Sequence, residues 1–206
     1  MDSEPATWIA FASAKRIGAG SPREVATAVK AYRDANPQAA ILVFDAHSRA
    51  VELDLRGSLA TVLRRVPAEP AAREAATEDA VVRGPGRPKL GVVPREVTLL
   101  PRHWDWLGRQ PGGASVALRK LVEHALRANR DKDRAREARD DAYRFMHAMA
   151  GDEPGFEEAS RALFADDTSG LELRTAKWPR DIRKHLLSLV ARAKGSSTAD
   201  KAQAES

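Results

Sequence analysis

Residues 7–32 read TWIAFASAKRIGAGSPREVATAVKAY, and the way this stretch divides decides what kind of fold the chain can have. Thr7-Trp8-Ile9-Ala10-Phe11 is strand-like, and Arg16-Ile17-Gly18-Ala19 returns as a second strand after a turn at Ser13 to Lys15. Ser21-Pro22-Arg23-Glu24 then reads as a helix start. Ser21 accepts from the third helical amide, Pro22 suits the first helical position, and Glu24 completes a capping box. Val25, Ala28, Val29 and Tyr32 recur at helical spacing, and Asn36-Pro37 ends the helix.

Working outward, Ile41-Leu42-Val43-Phe44 is a buried-strand run. A polar turn at Asp45 to Arg49 and the alternating Val51, Leu53 and Leu55 predict its hairpin partner. Gly57-Ser58 opens a second amphipathic helix with Leu59, Val62, Leu63 and Val66. The order is ββαββα over residues 5–66, enough for a small sheet covered by two helices.

Residues 67–79 turn to Pro, Ala and Glu with no large apolar residue, so nothing there can bury a face, and 67–90 reads as a linker. Residues 91–130 predict a short strand at Val97 to Leu100, a helix from Pro101 to Arg109, a break at Pro111-Gly112-Gly113 and a patterned helix from Ala114. In that helix Leu118, Leu121, Val122, Ala125 and Leu126 repeat at three and four residues. A helical region follows over 131–193, with Gly151 closing one helix and two more at Pro154 to Phe164 and Pro179 to Ala193. Residues 194–206 read as a disordered tail. The expected class is α+β: a small N-terminal α/β domain, a basic linker, and a largely helical C-terminal half.

Charge is unevenly spread. The chain carries 34 basic and 29 acidic residues, a net +5, yet residues 81–130 alone hold ten basic against three acidic side chains. Like charges gathered on one segment call for an anionic partner or for a solvated basic surface. Cysteine is absent, which excludes disulfides and thiolate chemistry and suits a reducing compartment. No signal peptide and no apolar run of membrane-spanning length is found, so the expectation is a soluble cytoplasmic protein.

Arg83-Gly84-Pro85-Gly86-Arg87-Pro88-Lys89 is the first candidate site. Its Gly-Arg-Pro core resembles the AT-hook and the minor-groove arms of site-specific recombinases, with Pro85 standing where the AT-hook has a second arginine. Such an arm lies extended in a narrow groove, Arg87 entering the negative potential of A·T-rich sequence while Arg83 and Lys89 reach phosphates. A stiff basic linker has the same composition. The strand, helix, turn and helix behind it resemble a ribbon-helix-helix domain, which implies roles in DNA contact for Arg95, Thr98, Ser115, Arg119 and Lys120. Against that pattern Val97 and Leu99 are apolar where bases would be faced, and the first helix is about one turn short. A helix-turn-helix, or a plain αα-hairpin, fits the same residues.

A wider resemblance rests on Glu96 to Leu107 with Gln110 to Ser115, on Ile41 to Phe44, Asp54 to Ser58, Gly86 to Gly91 and Arg144-Phe145-Met146. Together these resemble the bacterial family called domain of unknown function 2239 over roughly residues 5–190. The resemblance implies a bacterial source and no particular activity.

Trp104 and Trp106, two apart on a helix, point about 200° from one another and cannot form one stacking platform. Trp104 is expected in the core and Trp106 at a rim or dimer interface. The histidines at 47, 103, 124, 147 and 185 lack zinc-site spacing, Ser115 is not in a nucleophile elbow and reads as a helix cap, and no phosphate-binding glycine loop occurs. Asp45, Asp54, Asp166 and Asp167 read as turn and helix-start residues. No catalytic residue, metal or cofactor is expected. The reading is a homodimeric DNA-binding protein, with a transcriptional regulator as its sharper form. A dimeric scaffold for an acidic protein, and an enzyme whose site is assembled from distant residues, remain as alternatives.

Overall fold

The computed structural model describes residues 7–66, 93 and 95–203. The chain divides into two compact units, residues 1–79 with 134–206, and residues 80–133.

The first unit is built around the opening stretch. Strands β1 (Trp8–Ala12) and β2 (Lys15–Gly20) form the expected hairpin, and helix α1 (Pro22–Ala35) leads to β3 (Ile41–Phe44). The three strands lie in the order β2-β1-β3, all antiparallel, with Ile9 opposite Ala19 on one side and Phe44 on the other. The capping box at Ser21 forms as the sequence requires: the Glu24 amide donates to the Ser21 hydroxyl, and the Ser21 amide donates to the Glu24 carboxylate at 2.8 Å. That last bond holds the Glu24 carboxyl below its ordinary pKa. Gly18 allows α1 to approach β2 closely, because a Cβ there would stand 3.0 Å from the Ala28 methyl.

Every residue of β1 is buried, since both faces of the sheet are covered. Strand alternation sends Trp8 and Ala10 to one side, where they join Val25, Val29 and Val43. Ile9 and Phe11 go to the other side with Phe44 and meet Phe145, Met146, Leu163, Trp178, Ile182 and Leu186. Phe145 is the centre of that second core. Its ring stands 5.4 Å from both Phe11 and Phe44 and 4.5 Å, edge-on, from His185. A polar tie joins the same elements: the Arg16 amide donates to Asp181 across 165 residues of sequence.

The helices that cover this face come from the C-terminal half. They are the last part of α4 (Gly113–Ala150), then α5 (Phe156–Phe164), α6 (Thr168–Arg174) and α7 (Arg180–Gln203). Asp167 caps α6 through the Gly170 amide, and Asp166 pairs with Arg139 of α4 at 2.7 Å. The Trp178 indole donates to the Pro154 carbonyl at 3.0 Å. Thus residues 7–66 and the helical region after 133 share one core, where their separation in sequence suggested independent parts. Helix α7 also continues past Lys194, where composition suggested a tail.

The expected fourth strand does not form. Val51 donates to the Val43 carbonyl and Ala50 bridges Phe44, and then the chain leaves the sheet. Val51, Leu53 and Leu55 satisfy their apolar alternation by packing against the clusters of α1 and α2 (Leu59–Arg65), not by a ladder. Asp54 fixes the departure: it accepts from the Arg56 amide and pairs with the Arg56 and Arg65 guanidiniums, which hold its carboxyl far below the usual carboxylate range. Among the described residues no helix is long and apolar enough to cross a membrane.

Candidate nucleic-acid interface

The second unit holds the basic segment. Residues 95–100 run without helix or strand structure into α3 (Pro101–Gly108), whose first amides are met by the Leu100 carbonyl and not by a side-chain cap. The short strand expected at Val97 to Leu100 has no ladder partner among the described residues. A strand without a neighbour leaves its amides to water.

The break between the helices is set by glycine. Gly112 and Gly113 take φ of 84° and 75°, the left-handed region that side chains avoid, and a Cβ at Gly112 would press on Val116 at 3.1 Å. Helix α4 starts there with no acidic residue in its first turn. The Gly113 amide donates to the Gln110 carbonyl at 2.9 Å, and the helix dipole has no acidic residue of its own first turn to meet it.

Arg95, Thr98, Ser115, Arg119 and Lys120 are all exposed. Arg83, Arg87 and Lys89 lie outside the described residues. Ser115 is not the cap that sequence suggested. It sits inside α4, and its carbonyl accepts from the Arg119 side chain at 3.2 Å. Around these residues Arg102, Arg109 and Arg130 are exposed too, and among the described residues none of Arg95, Arg102, Arg109, Arg119, Lys120 and Arg130 forms an ion pair. Arg127 does, with Glu123 at 3.7 Å. In the first unit Arg56, Arg65, Arg139, Arg144 and Arg161 are each matched to a carboxylate, while exposed cations such as Arg23, Arg49, Arg174 and Lys184 have no ion pair among the described residues.

The tryptophans also depart from expectation. Trp104, expected in the core, is 42 % exposed and Trp106 is 47 % exposed. Leu107, three residues after Trp104, is the buried residue of α3. Buried indoles occur instead at Trp8 and Trp178.

One polar cluster escaped the sequence reading. Asp141, almost fully buried, faces the His47 ring at 3.4 Å and the Arg144 guanidinium at 3.0 Å, and Arg144 also donates to the His47 carbonyl at 2.6 Å. The cluster ties the turn after β3 to α4, and Arg192 adds a contact to the Ala46 carbonyl. Its local signal was an Asp and an Arg three apart on a helix, which is too common to single out. Within the turn, Asp45 accepts from the His47 and Arg49 amides, so its carboxylate is structural. Among the described residues no group of three His, Cys, Asp or Glu side chains is placed to hold a metal ion.

Fold and charge thus describe an α+β protein with a closed two-sided core and a second, basic unit open to solvent. The chain belongs to the family of uncharacterized proteins conserved in bacteria known as domain of unknown function 2239, whose profile matches residues 7–190. No curated protein and no solved structure matches it.

Proposed function

We propose that the chain is a homodimeric DNA-binding protein of the bacterial cytoplasm, acting by binding and not by catalysis. The observation that carries this reading is the set of six exposed cations in residues 93–130 that form no ion pair among the described residues, together with a first turn of α4 that holds no acidic residue. Unpaired surface cations are what a phosphate backbone neutralises, with release of counterions. Arg119 and Lys120 lie one to two turns into α4, within reach of a phosphate held at its first amides. The Arg83 to Lys89 arm adds a minor-groove contact to this reading, and a role in transcription is its sharper form.

Fluorescence anisotropy on the full chain tests it. The double variant Arg119→Glu, Lys120→Glu should lose at least about tenfold in duplex affinity, and the slope of affinity against salt should flatten. Its melting temperature should stay unchanged, because both residues are exposed. Arg87→Ala should lose about 1–3 kcal/mol on A·T-rich duplex and little on G·C-rich duplex, whereas Lys120→Ala should weaken both alike. No retention of duplex at low salt would overturn the reading. The exposed Trp104 and Trp106 then favour a scaffold whose partner is an acidic protein.

A further inference from the structure

Helix α3 carries a stripe that is both basic and aromatic. At about 100° per residue, Arg102, Trp106 and Arg109 fall within about 60° of arc, and the buried Leu107 lies about 100–160° from them. All three stripe residues are exposed, Trp106 at 47 %. Neither arginine forms an ion pair among the described residues, although Asp105 stands three and four positions from them at the edge of the stripe. Trp104, the other exposed indole of this helix, lies about 160° from Trp106 and belongs to a different side. Residues 80–92 of the same unit carry three basic and no acidic side chains, so the negative charge that this stripe calls for is not theirs to supply. Residues 67–79 are acidic but hold no aromatic or large apolar group to set against the indole.

The combination fits one class of ligand. A phosphate backbone neutralises arginines that lack carboxylates, and the face of an unpaired base covers an indole that the protein leaves in water. A closed duplex offers the phosphates alone, because its bases are stacked on one another. Along the helix axis Arg102 and Arg109 are about 10.5 Å apart, a span of about three phosphates at roughly 3.4 Å per charge on one strand. Trp106 lies between them. We propose that α3 holds a single-stranded stretch of DNA, with one base stacked on Trp106 and the flanking phosphates met by Arg102 and Arg109. The proposal rests on the DNA-binding part of the proposed function and adds unpaired bases to its target. Trp106 then serves as a base contact, where its sequence suggested a rim or a dimer interface.

Fluorescence anisotropy of the full chain with a labelled oligothymidine of about 16 nucleotides tests it. Trp106→Ala should bind about 5- to 100-fold more weakly, the scale of one stacked base, with unchanged melting. Trp106→Phe should recover most of that loss. On an oligonucleotide of equal length with abasic sugars throughout, Trp106→Ala and the native chain should bind alike. The double variant Arg102→Gln, Arg109→Gln should reduce the slope of log affinity against log salt by about 1.4, at about 0.7 for each phosphate contact, and Trp106→Ala should leave the slope unchanged. Trp104→Ala should bind as the native chain does. A Trp106→Ala loss that persists on the abasic strand, or one that Trp104→Ala matches, overturns the stacking. Equal affinity for polyglutamate of matched charge overturns it in favour of an acidic protein. A native chain that retains duplex but not oligothymidine overturns this proposal and leaves the DNA reading standing, and retention of neither overturns both. Oligothymidine bound without duplex supports the stripe and overturns the duplex contact of Arg119 and Lys120.

Discussion

The two units differ most in how much of their apolar side-chain surface enters a core. In residues 7–66 and 134–192 most large apolar side chains enter buried clusters, two of them on either side of one sheet, and at least five arginines sit against carboxylates. In residues 93–133 only Leu107 and Ala117 are buried, two tryptophans face water, and six cations have no ion pair among the described residues. Self-sufficiency in the first unit comes from the sheet, which brings residues 9, 11 and 44 against residues more than a hundred positions away. Two helices joined by a glycine turn have no such third layer, and their exposed surface is left for something outside the unit.

The sharpest way to break this contrast is at Phe145. Removing its ring leaves a cavity against Phe11, Phe44 and His185, and Phe145→Ala should cost about 3–5 kcal/mol in chemical denaturation. A loss under about 1 kcal/mol would mean that the sheet and the C-terminal helices do not depend on each other.

A medium effect is expected from acid. Burial first, and then the positive charges of Arg192 and Arg16, lower the pKa of His185 to about 4. The unfolded chain binds this proton near pH 6.5, well before the folded one does. The contribution is therefore complete above about pH 6.5 and is lost as pH falls toward 4. Thermal melting should show a decline of several degrees across that window, and His185→Leu should flatten it. An equal slope in both chains would place the acid sensitivity elsewhere.

The smallest effect belongs to the open unit. Lys120→Ala should change folding stability by no more than about 0.5 kcal/mol, because Lys120 is exposed and forms no ion pair among the described residues. A larger loss, measured in the same denaturation series, would show that the basic unit depends on Lys120 for its own structure.

Local sequence by itself determined the elements whose causes are local. The capping box at Ser21, the break at Gly112-Gly113, the ends of α1 and α4, and the concentration of charge in residues 81–130 all follow from residues within a few positions of each other. The exposure of Arg95, Arg119 and Lys120 was legible for the same reason, since charged side chains stay in solvent. Only the tertiary structure decided which apolar groups meet. The pattern of Val51, Leu53 and Leu55 allowed a strand, and the competition between a ladder and the α1–α2 surface went to the helices. Trp104 lost its expected core place to Leu107, and the Asp141 cluster joined residues 47 and 144 that nothing in sequence connects. Burial depends on what else is nearby, and for these residues the neighbours come from distant parts of the chain.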